Sequence, residues 1–433
     1  MNIKVRLIIM NFLQFAVWGS YLTSMGAYLA GSGMSDNIGL FYAMQGIVSL
    51  FMPAILGIVA DRWVPAQKLL SASHFIAALF MGAAGYYAMT SGDQVEFPTL
   101  FTFYSLSVAF YMPTLALSNS VAYTALGKAR LDTIKHFPPI RIFGTIGFIC
   151  SMWAVDLLGL QTSYGQFFVC AIIGVVYGAY ALTLPDCPVS HENRDKSMVE
   201  ALGLRAFTLF KQKKMAIFFC FSMLLGVSLQ ITNGFASPFL RSFEAMPMYA
   251  DTFSVQHPNI LISLSQMSET LCILLIPFFL SKFGIKRVML IAMLAWVLRF
   301  GLFGLGDPGG GLWMFVLSMI VYGVAFDFFN ISGSLFVDRE TDINIRSSAQ
   351  GLFVIMTNGF GATIGTLGAQ AVVNLFVKNE EVNHVKYMTG DWTAVWFIFA
   401  AYALVVAILF ALIFKYKHSN DSTNQPIKKE HNG

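Results

Sequence analysis

Residues 258–306 read PNILISLSQMSETLCILLIPFFLSKFGIKRVMLIAMLAWVLRFGLFGLG, and this stretch establishes the structural class of the chain. It contains two apolar runs, 258–281 and 286–306, with a short basic turn between them. A helix of about 20 apolar residues is long enough to cross the hydrocarbon core of a membrane. Each run therefore predicts one transmembrane helix, and the turn joins the two helices on one side of the membrane.

The same search over the whole chain finds twelve such runs, and the longest hydrophilic interruption divides them six and six. We therefore predict an all-α membrane protein with twelve transmembrane helices in two six-helix halves, embedded in a lipid bilayer. The halves are residues 1–184 and 215–417, with a cytoplasmic central loop at 185–214 and a cytoplasmic tail at 418–433. The predicted spans are 6–30, 38–60, 68–90, 98–126, 138–157, 165–184, 215–240, 258–281, 286–306, 311–336, 347–377 and 392–415.

The composition supports a membrane protein and excludes several other classes. Hydrophobic residues make up 56% of the 433 positions and charged residues 12%, which leaves too little polar surface for a soluble globule. The net charge of +4 comes from basic residues scattered through short loops, so a nucleic-acid partner is not indicated. The five cysteines include no CxxC pair, and neither a disulfide framework, a metal site nor a cofactor is predicted.

The distribution of Lys and Arg predicts the orientation. Of the 27 basic residues, only Arg241, Lys378 and Lys386 fall in the loops that alternate with those next to the N-terminus. Because cytoplasmic loops carry the excess of positive charge, both termini and the central loop are predicted to be cytoplasmic.

Two carboxylates and an arginine, Glu269, Asp327 and Arg141, are each surrounded by long apolar runs. A charge at the centre of a bilayer costs about 2.5 to 3.5 kcal/mol, so such residues usually face a partner or a pathway. Their neighbours at helical spacing are polar or aromatic, as expected for the walls of a wet cavity. The three predicted faces are Arg141, Thr145 and Phe148; Gln266 and Glu269; and Asp327, Asn330 and Ser334.

Several motifs resemble those of known transporter families. Residues 57–62, GIVADR, are similar to the signature of the major facilitator superfamily, although WVPA at 63–66 replaces its usual Gly-Arg-Lys continuation. Further motifs closely resemble the bacterial nucleoside permeases of the nucleoside:proton symporter family, and the similarity runs nearly end to end. They are YMPTL at 111–115, FPPIRIFGTIGF at 137–148, LQITN at 229–233, SQMSET at 265–270, FDFFNISG at 326–333 and FKYK at 414–417.

The resemblance implies a transporter, and not an enzyme, that takes up nucleosides across the cell inner membrane with the proton gradient. Alternating access by rocking of the two halves requires only a monomer. The Asp61–Arg62 pair is expected to act as a conformational latch at the cytoplasmic helix ends. The substrate positions that carry over are Arg141, Thr145, Phe148, Gln230, Asn233, Gln266, Glu269, Phe326 and Asp327.

These residue types suit a nucleoside, which is neutral and carries a flat base. Phe148 and Phe326 offer rings on which a base can stack, and a stacked base is worth about 1 to 3 kcal/mol. The side-chain amides of the set can each donate to and accept from a base edge. Carboxylates accept hydrogen bonds from ribose hydroxyls.

Proton coupling requires a group that changes charge inside the membrane, and Glu269 and Asp327 both qualify. We favour Glu269 as the carrier, because Asp327 is equally suited to anchoring substrate or Arg141. Two arginines have a second interpretation as anchors at the headgroups: Arg141, which lies only three residues after Pro138, and Arg299 in the ninth span.

Other functions remain open at the level of sequence. A sugar:proton symporter of the lactose-permease kind also uses an Arg in the fifth span with carboxylates in the second half. A membrane enzyme is disfavoured because no cluster has catalytic or metal-ligand spacing, and a substrate-sensing receptor would use the same cavity. Purine or pyrimidine preference, deoxyribose tolerance and stoichiometry are not predicted.

Overall fold

The computed structural model describes residues 2–189, 204–342 and 345–416, and these are mostly helical. Residues 190–203 of the predicted central loop and the whole predicted tail, 418–433, lie outside the described residues. The helices of the N-terminal half are α1 (Ile3–Gly19), α2 (Met25–Gly31), α3 (Ile38–Arg62), α4 (Ala66–Ser91), α5 (Phe97–Tyr111), α6 (Thr114–Lys128), α7 (Thr133–Leu157) and α8 (Gly165–Ala181).

The C-terminal half is also mostly helical, and it includes one very long helix and one two-stranded sheet. A π-helical segment, Ile355–Gly361, directly joins the helices Arg346–Val354 and Ala362–Phe376. The elements are α9 (Lys213–Leu229), α10 (Ile231–Ser242), α11 (Phe253–Gln256), α12 (Pro258–Leu305), α13 (Leu312–Glu340), α14 (Arg346–Val354), α15 (Ala362–Phe376), β1 (Val377–Val382), β2 (Val385–Gly390) and α16 (Trp392–Ile413).

Each predicted span contains a helix, although not every span is one uninterrupted helix. Within the described ranges, nine helical segments are long and apolar enough to cross a membrane. One of them, α12, contains both the 258–281 run and the 286–306 run, which meet at Gly284 with a φ of 75°. A side chain rarely adopts this left-handed backbone, so glycine is suited to the bend between the two runs.

Other spans are interrupted where the sequence removes helical hydrogen bonds. The fourth span divides into α5 and α6 at Pro113, which has no amide hydrogen to donate. The seventh divides into α9 and α10 at Gln230, whose backbone forms the junction. Discontinuous helices in transporters commonly lie at the substrate site, so this second break bears on function.

The β-hairpin corrects the purely helical expectation. Strands β1 and β2 pair antiparallel, with Val377 opposite Gly390 and Val382 opposite Val385. Asn383 and His384 both have positive φ, the geometry of a tight two-residue hairpin turn. The segment is polar and too short to span a membrane, so the search for apolar runs passes over it. The Asn379 side-chain amide donates to the carbonyl of Ala30 at 3.1 Å, which ties the hairpin to the N-terminal half.

The hydrogen bonds that join the two halves, among the described residues, lie at one end of the molecule. This end is where α2 and α7 finish and α3 and α12 begin. Here Gln370 accepts from the Gly39 amide at 2.6 Å, and Trp153 donates to Ser263 at 2.8 Å. We call this end the closed end. By the predicted orientation it is the periplasmic end.

Candidate functional site

The wall that the N-terminal half contributes is built on α7 and α1. Arg141 lies over the ring of Phe15, with its guanidinium carbon 3.8 Å from the ring centroid. Two turns further along α7, Phe148 is buried and meets the ring of Trp18 edge-on at 6.2 Å. Thr145 lies between them on the same face and makes no side-chain hydrogen bond to any described residue. The predicted face of α7 is therefore combined with an aromatic surface from α1.

Two glycines of the FPPIRIFGTIGF motif allow α1 and α7 to approach this closely. A Cβ atom on Gly147 would lie 2.1 Å from the carbonyl oxygen of Phe12. One on Gly144 would lie 2.6 Å from the ring of Phe15, the ring that contacts Arg141. The glycines thus determine how closely the arginine and its aromatic partner are held together.

Sequence analysis missed the aromatic partners Trp18 and Tyr104, which α1 and α5 supply and which Gln45 of α3 connects. The Trp18 indole donates to the side-chain oxygen of Gln45 at 3.2 Å, and the Gln45 amide donates to the Tyr104 hydroxyl at 3.0 Å. Tyr111 packs on Trp18 at 6.2 Å. The available signal was the spacing of Gln14 and Trp18 four residues apart in the first span.

Gln230 and Asn233 lie at the break between α9 and α10. The Asn233 amide donates to the Gln230 side-chain oxygen at 2.8 Å, so the two predicted substrate residues hold one another in place. Gln230 is itself 8% exposed. The pair retains a free amide donor from Gln230 and an acceptor from Asn233 for a ligand.

The two carboxylates come from α12 and α13. Asp327 is 4% exposed, and its Oδ2 is buried without a hydrogen-bond partner among the described residues. The side-chain oxygen of Gln266 is in the same situation. Glu269, one turn beyond Gln266, is half-buried. Buried polar atoms normally make hydrogen bonds. The unpaired oxygens of Asp327 and Gln266 are therefore suited to accept a hydrogen bond from a ligand, and the Asp327 carboxylate is also suited to bind a proton.

The charges of Glu269 and Asp327 both act on the Arg141 guanidinium from the other half of the protein. No ion pair within 4 Å joins Arg141 to either carboxylate in the described part of the chain. The structure thus brings the three predicted intramembrane charges to one region without direct contact.

Phe326 stands beside the carboxylates and stacks on Tyr322, with centroids 5.6 Å apart and planes 6° from parallel. Tyr322 interacts electrostatically with both carboxylates, and sequence analysis did not select it. The remaining members of the predicted face have other roles. Asn330 donates to the backbone carbonyl of Phe326, and Ser334 donates to the side-chain oxygen of Gln350.

The interpretation of Arg299 as a headgroup anchor is wrong. Its side chain is 2% exposed and donates to the carbonyl of Ser318 at 2.7 Å. The guanidinium also lies 4.6 Å from the centroid of Tyr322. Arg299 points into the C-terminal half because acceptors for its hydrogen bonds are inside the bundle.

The predicted latch residues lie far from the substrate positions in the fold, at the end of α3 opposite the closed end. Asp61 is exposed and makes no ion pair or hydrogen bond within the described ranges, and Arg62 is half-buried. A conformational role for the pair stays a prediction. Among the residues that the structure describes, no group of three or more His, Cys, Asp or Glu side chains could hold a metal.

Comparison with known proteins assigns the chain to a family. The family model described as "Nucleoside H+ symporter" matches residues 1–419. The nucleoside permease NupG of Escherichia coli K12 is 49% identical over 424 residues, which cover 96% of this chain and 97% of that protein. The xanthosine permease of the same organism is 47% identical over 421 residues, with coverage of 96% and 97%. A crystal structure of NupG superposes with a TM-score of 0.86 over 96% of this chain and all of that one.

Proposed function

Because this chain belongs to the nucleoside H+ symporter family, we propose that Arg141, Glu269 and Asp327 form the centre of its transport site. The protein is a proton-coupled nucleoside transporter with the major facilitator fold. Its relatives are permeases, which disfavours the membrane-enzyme alternative and the sugar symporter.

The observation that carries the proposal is that three charged side chains from both halves lie in one region. An arginine of α7 interacts electrostatically with carboxylates of α12 and α13 across the interface. A ligand bound there contacts both halves at once. Rocking of the halves then changes access to that ligand from one side of the membrane to the other.

The proposed ligand pose follows from the side chains around the centre. The base stacks on Phe326 or Phe148, which lie on opposite halves. Its polar edge pairs with the amides of Gln230, Asn233 and Gln266, and the ribose hydroxyls donate to a carboxylate. Relatives named for nucleosides in general and for xanthosine have similar identities to this chain, so base preference is a matter for measurement.

We further propose that this conformation is closed to the periplasm and open to the cytoplasm. Hydrogen bonds between the halves, where the structure describes them, are confined to the closed end. The Lys and Arg bias supports an orientation in which that end lies on the periplasmic side of the cell inner membrane and both termini lie in the cytoplasm. The two units that rock are 1–184 and 215–417, and one copy of the chain contains the whole site.

Proton coupling is proposed for the carboxylates, with Glu269 favoured as the carrier. Half-buried Glu269 is more accessible than Asp327, whose unpaired Oδ2 is suited to anchoring a ribose hydroxyl. In both roles Arg141 provides the countercharge when the carboxylate is ionised.

Uptake into right-side-out vesicles tests the proposal. Labelled uridine and xanthosine should accumulate when the exterior is acidic, and accumulation should collapse when a protonophore is added. Unlabelled nucleosides should compete, whereas lactose and xylose should not. Competition by a sugar with no effect of nucleosides would contradict the proposed substrate, and binding without uptake would favour a receptor.

A further inference from the structure

Arg299 is a buried cation that connects three helices of the C-terminal half. Its Nη1 donates to the Ser318 carbonyl on α13 at 2.7 Å and to Ser265 on α12 at 3.4 Å. Its Nη2 donates to the Thr232 hydroxyl on α10 at 3.3 Å. In return, the Ser318 hydroxyl donates to the backbone carbonyl of Arg299 at 2.9 Å.

Each of these contacts lies close in sequence to proposed nucleoside-binding residues. Thr232 stands between Gln230 and Asn233, and Ser265 immediately precedes Gln266. The helix of Ser318 carries Phe326 two turns further on. A single side chain therefore sets the spacing of all three elements that this half contributes to the site.

Arg299 also holds one of the aromatic rings beside the site. Its guanidinium carbon lies 4.6 Å from the centroid of Tyr322, a distance typical of a cation–π contact. Tyr322 in turn stacks parallel to Phe326. No carboxylate lies within 4 Å of Arg299 in the described chain, so its charge is stabilised by neutral groups only: hydroxyls, a carbonyl and this ring.

We propose that Arg299 is a positioning residue for nucleoside binding. It fixes α10, α12 and α13 relative to one another and orients the Tyr322–Phe326 pair as a stacking surface for the base. The inference rests on the proposed function, since it concerns the same site. A planar guanidinium has separate donors for separate helices, whereas a lysine ammonium is a point charge that cannot reproduce this geometry.

The test compares Arg299→Lys with Arg287→Lys, the same substitution at an exposed position of the same helix. Affinity for uridine or xanthosine, whichever the wild type binds more tightly, is measured by calorimetry on purified protein, with thermal unfolding in parallel. Arg299→Lys should bind about ten-fold more weakly. Its melting temperature should fall as well, because a buried hydrogen-bond network is disturbed. Affinities are therefore compared at a temperature at which both variants are fully folded, and the control should bind as the wild type does.

Thr232→Val provides a second, smaller perturbation that removes one acceptor of Arg299. It should weaken binding about three-fold in the wild type and have no further effect in Arg299→Lys, because coupled residues are not additive. Additive effects, or unchanged affinity in Arg299→Lys, would overturn the positioning role. If Arg299→Lys does not fold, Thr232→Val and Ser265→Ala test the positioning role instead. Normal nucleoside affinity in both variants would reject that role. A wild type that binds no nucleoside would instead reject the proposed function.

Discussion

The imidazole of His257 and the carboxylate of Asp156 are joined by a hydrogen bond between the two halves, with 2.5 Å between Nδ1 and Oδ1. The other carboxylate oxygen of Asp156 accepts from the backbone amide of Asn259 at 3.0 Å. Since Asn259 is in the first turn of α12, a carboxylate of the N-terminal half caps a helix of the C-terminal half. The positive end of a helix dipole favours such an anion. This contact must break if the closed end opens during transport.

Asp156→Asn should therefore shift the protein toward the conformation in which the closed end is open. Loss of the charge removes up to about 1 kcal/mol of stabilisation at the helix terminus. Spin labels at the exposed positions 157 and 253, in a background without the native cysteines, report the distance between the halves. That distance should lengthen in Asp156→Asn and not in Asp93→Asn, which changes an exposed carboxylate. An unchanged distance distribution would mean that the pair does not hold this end together.

Gly26→Ala tests the same interface by steric means. A Cβ atom at Gly26 would lie 2.2 Å from the carbonyl oxygen of Gly234 in the opposite half. Overpacking of this kind costs about 1 to 3 kcal/mol, because backbone cannot move aside as a side chain can. The variant should lengthen the same spin-label distance and reduce the maximal uptake rate. Gly31→Ala, on the same helix with open space around the new methyl group, is the control. If Gly26→Ala and Gly31→Ala gave similar spin-label distances and uptake rates, the close approach of Gly26 to the Gly234 carbonyl would be contradicted.

Arg141→Lys should keep the charge yet lose most uptake, by about ten-fold or more. The planar guanidinium stacks on Phe15, and its fork can contact two ligand atoms at once. Uptake at saturating and subsaturating nucleoside, normalised to the amount of folded protein, gives the loss in rate and affinity. Arg339→Lys, at an exposed helix end, should behave as the wild type. Near-normal transport by Arg141→Lys would return this residue to the role of a headgroup anchor.

Glu269→Gln and Asp327→Asn should separate proton transfer from substrate binding. The Gln variant keeps shape and hydrogen bonding but cannot titrate, so it should exchange nucleoside downhill without accumulating it against a gradient. The Asn variant should mainly weaken nucleoside binding. The measurement is nucleoside-induced alkalinisation outside sealed vesicles. Its persistence in Glu269→Gln and loss in Asp327→Asn would reverse the assignment, and persistence in both would exclude both carboxylates from coupling.

The membrane topology is tested by reporter fusions. Fusions after Gly92 and Gly310 should report a periplasmic location. Fusions after Lys68 and after Arg194, which is outside the described residues, should report a cytoplasmic one. The expectation follows from the concentration of Lys and Arg in alternate loops. A cytoplasmic signal at Gly92 would be incompatible with twelve spans in this orientation.

Local composition is enough to determine the class of this protein. Apolar runs of spanning length predict helices wherever they occur, because in lipid every backbone amide must be paired within its own segment. Charged residues within such runs mark a pathway for the same energetic reason, so Arg141, Glu269 and Asp327 are identifiable from the amino-acid sequence alone. Helical spacing also places Thr145 and Phe148 on the face of Arg141.

Tertiary structure alone decides which side chains from separate helices meet. Trp18 and Tyr322 are ordinary aromatic residues in a chain with 41 phenylalanines, and they join the site only through packing on Phe148 and Phe326. Arg299 shows most clearly what the amino-acid sequence alone cannot predict. Its position near the end of a span is equally compatible with a headgroup anchor, and its inward direction depends on acceptors at Ser318 and Thr232, which are distant in sequence. Periodicity specifies the face of one helix, whereas the choice of partners depends on how the helices pack against one another.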